Sequence, residues 1–399
     1  MKLQARVAVH IPGAARLDNG VVGLPSAMGA FVRGLADAVE DLDLVAYDPP
    51  KNGAENRDRP DYQFDAPASL RLISLGPKGS MRDLPQRRRR VARIVGNVSH
   101  EWDVTIYRLL NRRAGLVARA NRCPRTVGYI GGWTRHVLAQ IDLPMWRKLV
   151  SQPALYVIDR ETLAIAKQAG LFLANGEDLI DHFGTLGVPT QLLRTSSTFD
   201  ADFFQVADRF TNDEICLVVA GRITAPKGVF DAFNAFMLLR DRLDRPVRLV
   251  FIGDGDATAQ LQAQADSAGV RDAVEFRGWQ PAGPKVLQQL RQADALLHLS
   301  KAESMPRMVW EAMSQSVPVI ATPAGSLPRA FQDGRELVFV PVEDPGGAAD
   351  AVVRLASDGA LRRNMIAAGA EAVKEVSVEA ITADLVGRIV RCWPELRVV

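Results

Sequence analysis

Short runs rich in Val, Ile and Leu alternate with stretches of helical periodicity from one end of the chain to the other. That alternation restricts the fold to strand-helix units building parallel sheets, because a parallel connection needs a crossover helix that covers one sheet face. In the first half the strand candidates are RVAVHI (6–11), LDLVAY (42–47), LRLISL (70–75), DVTIY (103–107), TVGYI (126–130), LFLA (171–174) and QLL (191–193). In the second half they are ICLVVA, VRLVFI, AVEF, ALLHL, VPVIA and ELVFV. The class is α/β. A chain of 399 residues exceeds one ordinary core, and each half has the length of a doubly wound domain. The seam is expected at LRTSSTFDADFF, where small polar residues separate the two arrays. This gives a domain over 1–194, a hinge linker over 195–204, a second domain over 205–377 and a last helix over 378–399. That helix carries Ile381, Leu385, Ile389 and Val390 at helical spacing. Residues 49–69, rich in Pro, Asn, Asp and Arg, read as a surface loop.

Hydrophobic residues at 47% and charged ones at 24% fit a folded globular chain and exclude a disordered or fibrous one. The longest apolar runs fall short of the roughly 20 residues that a membrane span needs. Arg6 and His10 interrupt the N-terminal stretch before a signal-peptide core develops. Cys123, Cys216 and Cys392 are odd in number and far apart, the pattern of reduced thiols in a cytoplasm rather than of a disulfide frame or zinc site. The net charge of +3 conceals 20 basic against 8 acidic residues between 51 and 150. The excess peaks in QRRRRVARIV, where Arg87, Arg88, Arg89, Arg90 and Arg93 accompany Val91, Ile94 and Val95 as a basic amphipathic helix. Such a face suits anionic lipid or nucleic acid, the alternative being a plain solvated helix face.

Ligands of open α/β sheets sit outside the carboxyl ends of the strands, so the loops there carry the functional signal. After ICLVVA comes GRITAPKGVF, in which Gly221, Arg222 and Lys227 lead into a helix; amides and two cations make an anion site, or else a surface turn. After VRLVFI, Gly253 and Gly255 permit a tight turn. Asp254 and Asp256 beside them are similar to an Asp-X-Asp metal pair, but read as turn residues. EFRGWQP offers Gly278 and Trp279, to line a base pocket or to cap the sheet. After ALLHLS comes KAESMPRMVWEAM. There Pro306 suits the first turn of a helix, Ser304 supplies a capping oxygen, and Met308, Val309, Ala312 and Met313 form an apolar face. Glu311 then lies about 7 to 8 Å along the axis from Pro306, with Glu303 in the loop ahead. The two carboxylates bracket a ligand laid across the helix start, or are an acidic helix entry and one solvated side chain.

GRITAPKG, FIGDGD, EFRGW and AESMPRMVWEAMSQSVPVIATPAGSLP, in this order, resemble the C-terminal half of the retaining glycosyltransferases of family 4, which have the GT-B fold. Glu303 and Glu311 match the family's Glu-X7-Glu motif, and residues 215 to about 370 carry nearly all the signal. The resemblance implies two Rossmann-like domains facing across a cleft, with the last helix crossing back to the N-terminal one. It implies a UDP- or GDP-sugar donor, held mainly by the C-terminal domain, and metal-independent transfer with retention, by front-face attack assisted by the leaving phosphate. No cofactor is implied. By that similarity Glu303, Arg222 and Lys227 are the catalytic group: Arg222 and Lys227 take the diphosphate, Glu311 the ribose, and Glu303 with the amides around Met305, Pro306 and Arg307 the transferred sugar. Gly221, Gly253, Gly278, Trp279 and Ser304 complete the donor set. Glycosyl transfer passes through an oxocarbenium-like state with charge building on the departing phosphate, which fixed cations stabilise.

The chain departs from the family at three places. Ser304 follows the first glutamate where Gly is usual, Arg329 in GSLPR replaces a glutamate, and Ile130, Gly131 and Gly132 stand where many relatives place an N-domain histidine. His136 is either its substitute or a structural residue. PGAARLDNGVVGLPSAMG, with Gly13, Gly20 and Gly23, resembles the family's glycine-rich loop, and Arg16, Gly20, Gly23 and Arg108 join His136 as acceptor-side candidates. The expected activity is transfer of a hexose to a hydroxyl of a lipid-linked or polysaccharide acceptor. The enzyme would act in the cytoplasm, peripheral to the membrane through the Arg87–Arg93 region, with no nucleic acid partner. The alternatives are a synthase acting on a soluble sugar phosphate and a non-catalytic nucleotide-sugar-binding protein.

Overall fold

The computed structural model describes residues 2–49, 62–79, 81–109, 113–132, 145–206, 208, 210 and 213–399, with backbone only at 26, 27, 81 and 145–154. The chain divides into two compact units, Met1–Ser197 with Val378–Val399, and Thr198–Ser377.

The first unit is built on an eight-stranded sheet. Its strands are β1 (Leu3–Ala14), β4 (Val39–Asp48), β6 (Leu70–Pro77), β7 (Val104–Leu109), β8 (Thr126–Ile130), β9 (Leu171–Ala174), β10 (Gln191–Leu192) and β17 (Arg397–Val398). The order β10-β9-β8-β7-β1-β4-β6 is that of a doubly wound sheet, all parallel except β17, which pairs antiparallel with the start of β1. The order reverses between β1 and β7, which run in register from Val7 beside Val104 to His10 beside Tyr107. On one face Ala8, Val45, Tyr47 and Tyr107 pack with Val91 and Val95 of the helix Leu84–Val98. The last helix, Val378–Cys392, buries Val378, Ile381, Leu385, Val386 and Ile389 and packs on the helix Ser26–Ala38. A β-carbon on Gly34 would lie 2.2 Å from Val378 Cγ1, so this packing requires a glycine there.

Three parts of this unit differ from the sequence reading. PGAARLDNGVVGLPSAMG is not a loop: Arg16–Asp18 (β2) and Val21–Leu24 (β3) form a hairpin joined by Asn19 and Gly20 at φ 50° and 80°. Asn-Gly is the residue pair that accepts positive φ at both central turn positions. Tyr62–Asp65 (β5), inside the stretch read as a surface loop, adds the third strand to that small antiparallel sheet. Helix Leu84–Val98 forms as expected, yet its arginines do not share one solvated face. Arg87 is buried and donates to Lys78 O, and Arg90 donates to Leu75 O (2.8 Å) and Pro77 O (2.6 Å), which leaves Arg88, Arg89 and Arg93 exposed.

The second unit holds a six-stranded, wholly parallel sheet of β11 (Ile215–Ala220), β12 (Val247–Ile252), β13 (Val274–Phe276), β14 (Ala295–His298), β15 (Val319–Ala321) and β16 (Val338–Phe339). Its order β13-β12-β11-β14-β15-β16 is the 3-2-1-4-5-6 arrangement of dinucleotide-binding sheets. β11 and β14 are buried along their whole length, as expected of strands covered on both faces, and β11 reads as an unbroken apolar run. Helix Val229–Leu239 packs against helix Pro345–Ser357 over one face, enclosing Phe233, Phe236, Val352 and Leu355.

Candidate active site

The order of the second sheet reverses between β11 and β14, so the crevice outside their carboxyl ends is where a ligand belongs. From Gly221 the chain runs through a single 3-10 turn, Ala225–Lys227, to Gly228, which caps the helix Val229–Leu239 in a left-handed conformation, φ 67°. A β-carbon on Gly228 would stand 1.9 Å from Leu299 O, and one on Gly253, φ 139°, 1.8 Å from Gly221 O. The loops after β11, β12 and β14 therefore rest backbone against backbone. Lys301 N donates to Pro226 O at 2.9 Å and Ser300 Oγ to the same oxygen at 3.3 Å, which fixes the two central loops together.

That stitching brings Lys227 onto Glu303. Lys227 Nζ donates to Glu303 Oε1, and the carboxylate side chain is only 6% exposed. His298, the last residue of β14 and itself buried, places its Nε2 3.2 Å from the same oxygen, a close approach that stops short of hydrogen-bond geometry. Burial works against the ionised form of Glu303, but the contacts and charges of His298 and Lys227 outweigh it and hold the carboxyl down at about 2. A carboxylate this acidic accepts hydrogen bonds at neutral pH and has no proton to give.

Helix Arg307–Ser314 begins next, with Pro306 at its N-cap rather than inside its first turn. No side chain caps it, and Ser304 Oγ, expected to do so, is buried with no hydrogen-bond partner among the described residues. The reason is the neighbouring loop: Ser326 N donates to Ser304 O at 2.9 Å, drawing Ser304 toward the segment after β15, where Ser326 Oγ is buried and equally without a partner. Glu311, the fifth residue of the helix, is buried at 6% exposure instead of solvated. Met305 and Pro306 are buried and Arg307 half-buried.

The remaining donor-side candidates line the same strand ends less closely. Arg222 is exposed beside Gly221. Gly278 adopts φ 66° and its carbonyl accepts from Gly253 N at 2.8 Å, while Trp279 is 38% exposed beyond β13. Asp254 has a turn role: its Oδ1 accepts from Gly255 N (2.8 Å) and Thr258 Oγ1 (3.2 Å). His298 was not among the sequence candidates. Its only signal is a histidine closing an apolar strand five residues before the motif glutamate, which strand periodicity labels as core.

In the first unit, Arg16 sits on β2 opposite Gly23, 3.7 Å from Asp18, and Gly20 forms the hairpin tip. Arg108 lies apart on β7, buried, with its guanidinium carbon 4.0 Å from the Tyr129 ring centroid and 5.4 Å from that of Phe31. At Gly131 an added β-carbon would lie 3.5 Å from Arg108 Nη2 and from Asn175 Nδ2. His136 lies outside the described residues. His10, fully buried on β1, has no hydrogen-bond partner on either ring nitrogen among the described residues, and burial lowers it from 6.5 to about 4.

Residues 200–372 match the family described as Glycosyl transferases group 1, a span that begins and ends inside the second unit. This part of the chain is a glycosyl transferases group 1 domain. Among curated proteins, N-acetyl-alpha-D-glucosaminyl L-malate synthase of Bacillus anthracis is 30% identical over 179 residues, 44% of this chain and 46% of that protein. The lipopolysaccharide core biosynthesis glycosyltransferase LpsD of Rhizobium meliloti is 29% identical over 171 residues, 43% and 48% respectively. The chain thus spans under half the length of these curated relatives. The solved structure of Anabaena HepE in complex with UDP superposes with a TM-score of 0.69 over 98% of this chain and 100% of that one, at 16% identity. At that identity the likeness shows the fold alone: the two doubly wound units and the group 1 domain are of the GT-B type.

Proposed function

We propose that the chain is a glycosyltransferase that moves a hexose from a UDP- or GDP-sugar to a hydroxyl acceptor, with retention and without a metal or cofactor. The observation that carries this reading is the ion pair of Lys227 and Glu303 at the switch point of the group 1 domain. It joins, at the place where open α/β sheets bind ligands, a cation suited to a diphosphate and an ionised carboxylate suited to sugar hydroxyls. In this scheme Lys227 and Arg222 take the diphosphate and stabilise the charge that develops on it as the glycosidic bond breaks. Glu311 takes the ribose. The acidity of Glu303 makes it an acceptor from a sugar hydroxyl, not a proton donor to the leaving group, so the leaving phosphate must be stabilised by cations.

The acceptor in this reading is lipid-linked or polysaccharide, in line with the name of the LpsD relative, and Arg88, Arg89 and Arg93 would meet anionic lipid at the inner membrane face. A soluble anionic acceptor is the second reading, favoured by the relative named for L-malate and by the basic excess of residues 51–150. A thermal-shift screen against UDP, GDP and their sugars tests the donor. At about 100 times the dissociation constant, binding adds about 2.7 kcal/mol and raises the melting temperature by several degrees. Glu303→Ala should reduce transfer at least about 100-fold. No shift with any nucleotide would overturn the reading. Sedimentation with anionic liposomes at low salt tests the membrane contact, and Arg88→Ala/Arg89→Ala/Arg93→Ala should release the protein.

A further inference from the structure

Glu303 is held by two partners of different character. Lys227 reaches it from a 3-10 turn on a flexible four-carbon stem, and its side chain is 18% exposed. His298 reaches the same Oε1 from the end of a central strand, with its side chain 9% exposed. Its residue is anchored on β15 by the pairing of His298 with Ala321 and by Thr322 N donating to His298 O at 3.2 Å. One partner can leave; the other is fixed in the sheet. If Lys227 is the cation that takes a diphosphate, its departure removes one of the two groups that compensate a carboxylate almost wholly out of water. A buried carboxylate left unpaired either takes up a proton or moves toward solvent.

We infer that His298 is the positioning residue of the donor site: its Nε2, 3.2 Å from Oε1, closes to a hydrogen bond that anchors this oxygen when Lys227 turns to the diphosphate, leaving Oε2 for the transferred sugar. This rests on the donor-site reading above and extends it to a residue outside the matched motif. One hydrogen bond donated from Nε2 to Oε1 is all the role requires. The same arrangement separates two tasks in one site. Nucleotide binding draws on Lys227 and Arg222, whereas recognition of the sugar depends on Glu303 being held in place by His298.

The test compares full-length wild type, His298→Gln, which keeps an amide donor near the Nε2 position, and His298→Leu, which keeps the volume and loses the donor. Affinity for UDP and GDP alone is measured beside affinity for the sugar nucleotide that stabilises wild type most, together with kcat and KM. UDP or GDP affinity should stay within about threefold in both variants. In His298→Leu the extra affinity gained from the sugar should fall about tenfold and kcat by about 10- to 100-fold, and His298→Gln should recover most of both. Melting curves and circular dichroism establish that the variants are folded; if Leu fails there, His298→Met carries the same comparison. A residue that only fills space would give equal losses in Leu and Gln, or none, and either result overturns the inference. Failure of wild type to bind any nucleotide would instead strike the donor-site reading, and the inference with it. In that case a stability cycle of His298→Leu and Glu303→Gln without ligand tells the two failures apart. Coupling of tenfold or more in the unfolding constant would retain the contact and discard only its ligand role, and additivity would discard both.

Discussion

His10 and Glu303 are buried groups whose ionisation is altered by folding in the same direction for different reasons. Burial alone lowers His10 from 6.5 to about 4, because the fold tolerates only the neutral ring. Its contribution to stability is complete above about pH 6.5 and is lost as the pH falls toward 4. Glu303 is lowered from 4.5 to about 2 because His298 and Lys227 more than offset its burial, so its contribution is complete above about 4.5 and is lost toward 2. Each shift corresponds to a contribution on the order of 3 kcal/mol. Urea midpoints measured between pH 7 and 3 should therefore fall in two successive windows, and His10→Leu should remove the first while leaving the second. A single transition centred below pH 4 in wild type would contradict the role given to His10. Of these side chains only Glu303 is legible in the sequence, since it stands in a loop between turn and helix signals. His10 and His298 lie inside apolar strands, where alternation assigns them to the core and says nothing about what their ring nitrogens meet.

At the scale of elements, the site depends on loops that touch through their backbones. Gly253→Ala would place a methyl 1.8 Å from Gly221 O at a φ of 139° that L-residues rarely adopt, and the loop after β11 must move to relieve it. The expected cost is about 2 to 4 kcal/mol, together with loss of the nucleotide-induced thermal shift. A variant as stable as wild type, with an unchanged nucleotide response, would show that this contact does not position the site. The pattern GDGD marks the turn but not its neighbour, so the sequence explains a glycine there by local geometry and leaves out the carbonyl that demands it. The hairpin β2–β3 is the reverse case. Its Asn19-Gly20 turn is visible in the sequence, yet the strands are only three and four residues long, and only pairing with β5 makes them a sheet. The helix Leu84–Val98 shows the same limit, because the carbonyls at the end of β6 that engage Arg87 and Arg90 come from a different element.

At the scale of the molecule, the first unit is discontinuous in sequence. The final helix contributes Val378, Ile381, Leu385, Val386 and Ile389 to its core, and β17 pairs with β1. Burial of such side chains stabilises by about 1.5 to 3 kcal/mol each, which taken together rivals the whole stability of a domain. A chain ending at residue 377 should therefore have an unfolded or molten first unit, while Thr198–Ser377 keeps its own cooperative transition in calorimetry. Two intact transitions in the truncated protein would refute this division of the stability.

By itself the sequence determined the α/β class, every parallel strand and the loops that carry the chemistry, because these follow from hydrophobic period and from turn and helix-start residues a few positions apart. Strand order, the nesting of the loops and the meeting of His298, Lys227 and Glu303 were decided only by the tertiary structure. Lys227 and Glu303 are 76 residues apart in the chain, and their contact exists because β11 and β14 lie side by side in the sheet and end at the same crevice. No local pattern encodes that adjacency, since it arises from the crossovers that place the fourth strand of the unit next to the first.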